Sequence, residues 1–329
     1  MDLSVSIKSA KRNLLIVFLA IAASVIVFST AHAQSPTQWE ELEGDVSLFI
    51  GNDLGRNGYY DQKPIAELMG KMAETIGPEA VLALGDVHHF GGVKSVNDPL
   101  WMTNYELIYS HPELMIDWMP VLGNHEYRGT TQACIDYTRK SARWNMPERY
   151  HTFVLTADDG TTLRFVLIDT TPLIDKYRTE TSKYPDAALQ DRDRQLAWMD
   201  SVLTAANEDW VLVAGHHPVY ADTGKDDSER ADMQKYVRPV LQRHSDKVAM
   251  YLCGHIHNFQ HIRPGNGDPI DYVVNSSASL SRKKVAPTPG AVFVSGESGF
   301  SFIAADRHSL TLYMLDKEGR TLHKIERTK

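Results

Sequence analysis

Ala80-Val-Leu-Ala-Leu-Gly-Asp-Val-His-His89 is the stretch from which the fold can be read. Five apolar residues stop at Gly85-Asp86, and a buried strand that ends abruptly in Gly-Asp holds a carboxylate at the edge of a sheet. The construction recurs along the chain. Val46–Ile50 runs into Asn52-Asp53, Trp118–Leu122 into Gly123-Asn124-His125, Trp210–Ala214 into Gly215-His216-His217, and Met250–Cys253 into Gly254-His255-Ile256-His257. Each run delivers oxygen or imidazole donors at its C-terminal end, which is where open α/β sheets bind ligands. Singly these residues mean little, since an Asp after a strand is usually a turn or cap. His255-Ile-His257 is more specific, because alternate residues of a strand share a face. Five such ends in one chain point to a metal site.

Outward from these strands, Pro64–Ile76 carries apolar residues at helical spacing and completes a β-α-β unit with the strands on either side. The spacing predicts mostly helix over Asn97–Asp117, a short strand at Met119–Leu122, and a hairpin of Tyr150–Leu155 with Leu163–Ile168 around Asp158-Asp159-Gly160. Leu173–Leu189 reads as a polar, mobile loop. Helices are expected over Arg192–Asn207 and Glu229–Arg243. From Ile270 onward the pattern is antiparallel strand: Tyr272–Val274, Phe300–Ala305, Leu310–Leu315 and Leu322–Ile325, with a hairpin turn at Lys317-Glu-Gly319. Alternating α/β followed by antiparallel strands predicts an α/β protein of two packed sheets flanked by helices.

The chain has 329 residues, 43% hydrophobic and 23% charged, enough to bury a full core. A net charge of −8 argues against a nucleic-acid-binding surface. The one tight basic run, Arg282-Lys283-Lys284, reads as a solvated loop. Residues 1–33 read as a signal peptide: Lys8, Lys11 and Arg12 precede the apolar run Leu14–Ser29, and Ala31-His32-Ala33 supplies a cleavage signal. That run is shorter than the ~20 residues of a spanning helix. The mature chain, 34–329, is then a single exported catalytic domain, periplasmic or secreted, with no stable membrane association. No Pro/Gly/Ser linker divides it. Export permits a disulfide between Cys134 and Cys253, though a buried free Cys is common and pairing does not follow from sequence.

The ordered set Asp53, Gly85-Asp86, Gly123-Asn124-His125, Gly215-His216 and Gly254-His255-Ile256-His257 resembles the calcineurin-like metallophosphoesterases, and within them the small, tartrate-resistant purple acid phosphatases. The likeness extends to Arg143-Trp144-Asn145-Met146-Pro147, Leu167-Ile-Asp169-Thr170, Glu208–His216 and Tyr251-Leu-Cys-Gly-His255. It implies a four-layer αββα sandwich of two mixed sheets, with two metal ions bridged by a carboxylate. Carried over by residue, Asp53, Asp86 and His257 bind the first metal. Asp86, Asn124, His216 and His255 bind the second. His125 stands beside them as phosphate contact and general acid. The implied activity is phosphomonoester hydrolysis by attack of a metal-bound hydroxide on a small phosphorylated substrate. Two metals about 3.5–4 Å apart suit that chemistry, clamping the attacking and leaving oxygens and lowering the pKa of a bound water. Asn124 contributes a neutral oxygen that keeps the second metal electron-poor.

The chain departs from the family twice. Three residues after the bridging Asp, the purple enzymes have a tyrosine whose phenolate binds ferric iron; here that position is His89. A neutral imidazole can still ligate, but it weakens the preference for Fe(III), so the expected metals are divalent: Mn, Zn or Fe. The family's further substrate-side histidine aligns with Lys225, able to attract phosphate only as a point charge. Arg56, Asn57 and His217 are the other candidates for substrate contact. A phosphodiesterase, nucleotidase or pyrophosphatase shares the same metal core and stays open. So does a phosphate-binding protein without catalysis, although such a protein has no need of His125.

Overall fold

The computed structural model describes residues 39, 42, 44–223, 227–265, 267–282, 285 and 290–329. In chain order the first half folds as β1 (Val46–Gly51), α1 (Gln62–Ile76), β2 (Ala80–Ala83), β3 (Asp117–Pro120), α2 (Thr131–Asp136), β4 (His151–Thr156) and β5 (Thr162–Leu167). Then come α3 (Asp175–Thr179), α4 (Arg192–Ala205), β6 (Trp210–Ala214), α5 (Ser228–Tyr236), α6 (Arg238–Arg243) and β7 (Val248–Cys253). The chain closes with β8 (Phe259–Ile262), β9 (Asp271–Val274), β10 (Ala291–Ser295), β11 (Gly299–Ala305), β12 (Ser309–Asp316) and β13 (Thr321–Thr328).

The strands form a six-stranded sheet in the order β13-β12-β11-β1-β2-β3 and a seven-stranded sheet in the order β10-β8-β9-β7-β6-β5-β4. The period-2 alternation of strand side chains sorts the apolar residues into layers. Leu48 and Ile50 of β1, Leu163 and Phe165 of β5, and Leu212 of β6 share one core cluster between the sheets. Phe49 and Val213, their neighbours in sequence, turn the other way and join the cluster that holds Ile65, Met69 and Met72 of α1 and Met199 and Leu203 of α4. Two mixed sheets face to face, each covered by helices, make the αββα sandwich.

The sheet orders set the place of the site. β1, β2 and β3 are adjacent and parallel in one sheet, β6 and β7 in the other, so all five Gly-Asp, Gly-Asn and Gly-His ends emerge side by side.

Several expectations need correction. Asn97–Asp117 is not mostly helical: only a wide turn at Met102–Glu106 and a tight one at Pro112–Leu114 form. Its aromatic residues instead pack as a cluster, with Trp101 stacked on Tyr137 at 3.5 Å and the Arg143 guanidinium 4.3 Å from the Tyr105 ring. Leu173–Leu189 folds onto the body through α3, and its Tyr177 and Tyr184 are fully buried. Pro239, which has no N–H to donate, stands at the start of a second helix and divides Glu229–Arg243 into α5 and α6. β9 is antiparallel to β8, as expected of the C-terminal strands, but joins β7 in parallel, and β8 and β10 had no recognisable pattern. Cys134 and Cys253 are separate buried thiols. The signal-peptide residues lie outside the described residues, and among the latter no helix is long and apolar enough to cross a membrane.

Replacing Leu212 in the inter-sheet core by Ala should destabilise the fold by ~2–5 kcal/mol. Replacing Leu189, which is 77% exposed, should stay within ~0.5 kcal/mol. Urea unfolding with unchanged m-values checks both.

Candidate metal centre

The turns after the strands approach more closely than side chains would allow. A Cβ on Gly254 would collide with the Asn52 amide, and one on Gly123 with the Asp86 carboxylate. Asp53, Asp86, His255 and His257 all take left-handed backbone conformations, with φ of 48, 53, 68 and 64°. Non-glycine residues adopt that region at a cost, and such residues cluster at functional sites. The surrounding hydrogen bonds hold them there. Asp53 Oδ2 accepts from the His255 N–H at 3.0 Å, and its carbonyl accepts from the Ser277 and Ser279 hydroxyls.

One carboxylate lies at the middle. Asp86 Oδ2 is 3.3 Å from His216 Nε2, 3.5 Å from His89 Nε2 and 3.8 Å from His125 Nε2. Asp53 Oδ1 is 3.0 Å from His257 Nε2 and 3.7 Å from His89 Nε2. In each of these four imidazoles the other nitrogen is spoken for by a backbone carbonyl: His89 Nδ1 by Gly55, His125 by Phe90, His216 by Leu84 and His257 by Leu280. A carbonyl only accepts, so Nδ1 carries the proton, and a neutral ring turns the lone pair of Nε2 toward a carboxylate. Lone pairs facing lone pairs call for a cation between them.

The electrostatics agree. Burial raises the Asp86 carboxyl, but His216 and His125 more than reverse this and hold it well below the ordinary value. Burial likewise raises Asp53, and His257 reverses it. Burial lowers His216, yet Asp86 pushes its pKa up to about 9: at this one ring a proton on Nε2, or a cation in its place, satisfies the carboxylate. For His89 burial wins and the pKa falls to about 3, leaving a neutral ring. Buried Asn124 Oδ1 and His89 Nε2 have no hydrogen-bond partner among the described residues. Donor sets within 4.8 Å of one another are Asp53/His89/His257, Asp86/His89/His125, Asp53/Asp86/His216 and His216/His217/His255. Oxygen and imidazole donors of this kind suit divalent transition metals.

The remaining expected residues fall in different places. Asn124, His125 and Arg56 line a cavity of about 420 Å³ over Asp86. Asn57 lies outside that cavity, in an adjoining one, its carboxamide oxygen accepting from the Thr103 hydroxyl. His217 does not line the cavity either. It is fully buried, Nδ1 2.8 Å from the Thr170 hydroxyl and Nε2 3.2 Å from the Tyr177 hydroxyl. A substrate contact is out of its reach for that reason. Lys225 lies outside the described residues.

Two carboxylates went unread in the sequence. Buried Glu126 accepts from the N–H groups of Asp86, His88 and Gly123 at 2.8–2.9 Å and ties two of the turns together. Its position next to His125 was the available signal. Glu229, on α5, accepts a hydrogen bond from His255 Nε2 at 2.9 Å, while its other oxygen accepts from Lys176 at 2.7 Å and Tyr177 at 2.8 Å. That leaves His255 Nδ1 facing His216 Nε2 at 3.2 Å. Nothing local in the sequence marks Glu229.

Against known proteins, residues 46–259 match the model of the family described as calcineurin-like phosphoesterase. The chain is 27% identical to purple acid phosphatase 4 of Arabidopsis thaliana over 96% of its own length and 93% of the relative's. To human tartrate-resistant acid phosphatase type 5 it is 28% identical, over 79% and 82%. Among solved structures, GAP50, described as the anchor in the inner membrane complex of Plasmodium, superposes with a TM-score of 0.72 at 20% identity, over 86% of this chain and 88% of that one, and so shares the fold. With the family model matched over more than half its length, the chain belongs to the calcineurin-like phosphoesterases.

Proposed function

We propose that this chain is a binuclear-metal-dependent phosphatase that hydrolyses phosphomonoesters of small molecules. The observation that carries the reading is the convergence of Asp53, Asp86, Asn124, His216, His255 and His257 on one centre, with His125 beside them. The relatives named purple and tartrate-resistant acid phosphatases support the same class.

Asp53 and His257, with His89, would hold one ion; Asn124, His216 and His255 would hold the other; Asp86 would serve both. The chemistry such ions would supply there is polarisation of a phosphoryl oxygen and a nucleophile at working pH. His125 keeps Nδ1 on the Phe90 carbonyl and presents Nε2 to the cavity, the geometry for passing a proton to the leaving oxygen. His89 in place of a phenolate favours divalent Mn, Zn or Fe over Fe(III). Glu229 acts as a positioning residue: by accepting a hydrogen bond from His255 Nε2–H it selects the tautomer whose Nδ1 lone pair faces His216 and the centre. Export to the periplasm or medium fits residues 1–33, and N-terminal sequencing of the native protein that began at Met1 would refute it.

A phosphodiesterase, nucleotidase or pyrophosphatase uses the same core, and a non-catalytic phosphate binder uses the same fold. Rates on an aryl phosphate and its diester, with and without chelator, separate the three. Monoester turnover abolished by chelator and restored by divalent metal is the expected result.

His125→Ala should lower kcat by about 10²–10⁴-fold with metal content retained; parallel loss of metal would remove its role. Glu229→Ala should weaken one of two metal equivalents by about 10–100-fold, read by metal analysis across a chelator titration, with partial rescue in Glu229→Gln. Purified protein should carry divalent metal and show no tyrosinate-type visible absorption band.

A further inference from the structure

Tyr59, Tyr60 and Phe90 are 72, 62 and 67% exposed, and no other aromatic side chain among the described residues stands so far into solvent. They are not scattered. All three wall a single cavity of about 340 Å³, together with Arg56, Asn57 and His89. Arg56, His89 and Phe90 also wall the cavity over Asp86, so the two spaces adjoin. Elsewhere the chain buries its large rings: Trp101, Trp118, Trp144, Tyr105 and Tyr109 are all fully enclosed. Exposed apolar surface concentrated beside a polar site marks a place where a ligand lies.

The turn that presents the tyrosines is braced. Gln62 Oε1 accepts from the N–H groups of Arg56 and Gly58 at 2.9 and 2.8 Å, and Asn104 Oδ1 accepts from that of Asn57 at 2.7 Å. Asn57 and Tyr60 are held with φ of 53 and 57°, a conformation unfavourable for a tyrosine. Such bracing keeps the rings outside the core that begins only five residues on, at Ile65.

Phe90 stands at the junction. Its ring centre is 5.8 Å from that of His89 and 5.9 Å from that of His125. A leaving group that takes its proton from His125 therefore passes beside this ring as it departs. Arg56, only 8% exposed, places its guanidinium 4.8 Å from the centre of the Phe90 ring, and its Nε has no hydrogen-bond partner among the described residues. A buried, fixed cation at the wall between the two spaces suits the junction of a phosphate with an organic group, since guanidinium both pairs with phosphate and stacks on planar rings.

We propose that Arg56, Tyr59, Tyr60 and Phe90 form a subsite for the leaving group, selective for phosphomonoesters whose leaving group carries a planar ring. This rests on the phosphatase reading of the adjoining site. The shared chemistry is the ring, borne directly on the ester oxygen in an aryl phosphate or one sugar away in a nucleoside 5′-monophosphate.

The experiment compares kcat/KM for phenyl phosphate, adenosine 5′-monophosphate and glycerol 2-phosphate in the metal-loaded wild type and in Tyr59→Ala, Tyr60→Asn and Phe90→Leu. Asn tolerates the left-handed backbone, and Leu keeps bulk without a π face. Phenol leaves more readily than glycerol in every variant, so the change in the ring-to-glycerol ratio between wild type and variant reads the subsite alone. The ratio should fall about tenfold or more in Phe90→Leu, the scale of one stacked ring, chiefly through KM. A fall for phenyl phosphate alone assigns the subsite to aryl esters, and a fall for the nucleotide alone to nucleosides. Unchanged ratios with all three esters still hydrolysed would overturn the subsite and leave the phosphatase reading standing. Absence of hydrolysis would overturn that reading, and calorimetry with phenylphosphonate against methylphosphonate would then decide the subsite. Equal affinities for the two phosphonates in the wild type refute it.

Discussion

One carboxylate oxygen facing three imidazole nitrogens is the constraint on which the rest depends. Asp86 Oδ2 lies within 3.3–3.8 Å of Nε2 of His216, His89 and His125, and backbone carbonyls hold each ring so that it cannot turn away. Burying an ionised carboxylate against neutral lone pairs is unfavourable unless positive charge stands between them. The centre is therefore organised for cations before any is bound, and the fold supplies the rigidity. Four residues with left-handed backbones, Asp53, Asp86, His255 and His257, are each worth ~1–3 kcal/mol of strain, carried by the packed sandwich beneath.

The sandwich earns that role through its connectivity. Parallel strands place their C-terminal ends together, and the sheet orders make β1-β2-β3 neighbours in one sheet and β7-β6 neighbours in the other. Glycine at Gly123 and Gly254 lets adjacent turns close to contact. Around this frame lies a ring of supports: Glu126 clamps two turns through three N–H groups, and Glu229 orients His255 while tying it to Lys176 and Tyr177 of α3. The segment around α3, polar in sequence, is thus part of the wall of the site, anchored by two buried tyrosines.

Most of the fold was legible because apolar runs of four to eight residues bounded by turn signals are strong patterns. β8 was not, since Phe259-Gln-His-Ile262 mixes polar residues that find buried partners only across the sheet, as His261 does with Asp271. Asn97–Asp117 misled because its aromatic spacing suits a helix, while its rings pack against Tyr137 and Trp144 from later in the chain. His217 misled in the same way: adjacent to His216, it points to Thr170 and Tyr177 and not to the cavity.

By itself, the sequence determined the layered α/β architecture and the identity of the residues that converge, because strand ends, glycines and donor types are local properties. Tertiary structure alone decided which atom of each imidazole faces the centre, since that depends on which carbonyl reaches the other nitrogen. It also decided that Glu229 meets His255, 26 residues away, and that Phe90 joins Tyr59 and Tyr60 around one cavity. Such pairings are set by how two sheets stack and which turns they bring level, and no local spacing encodes them.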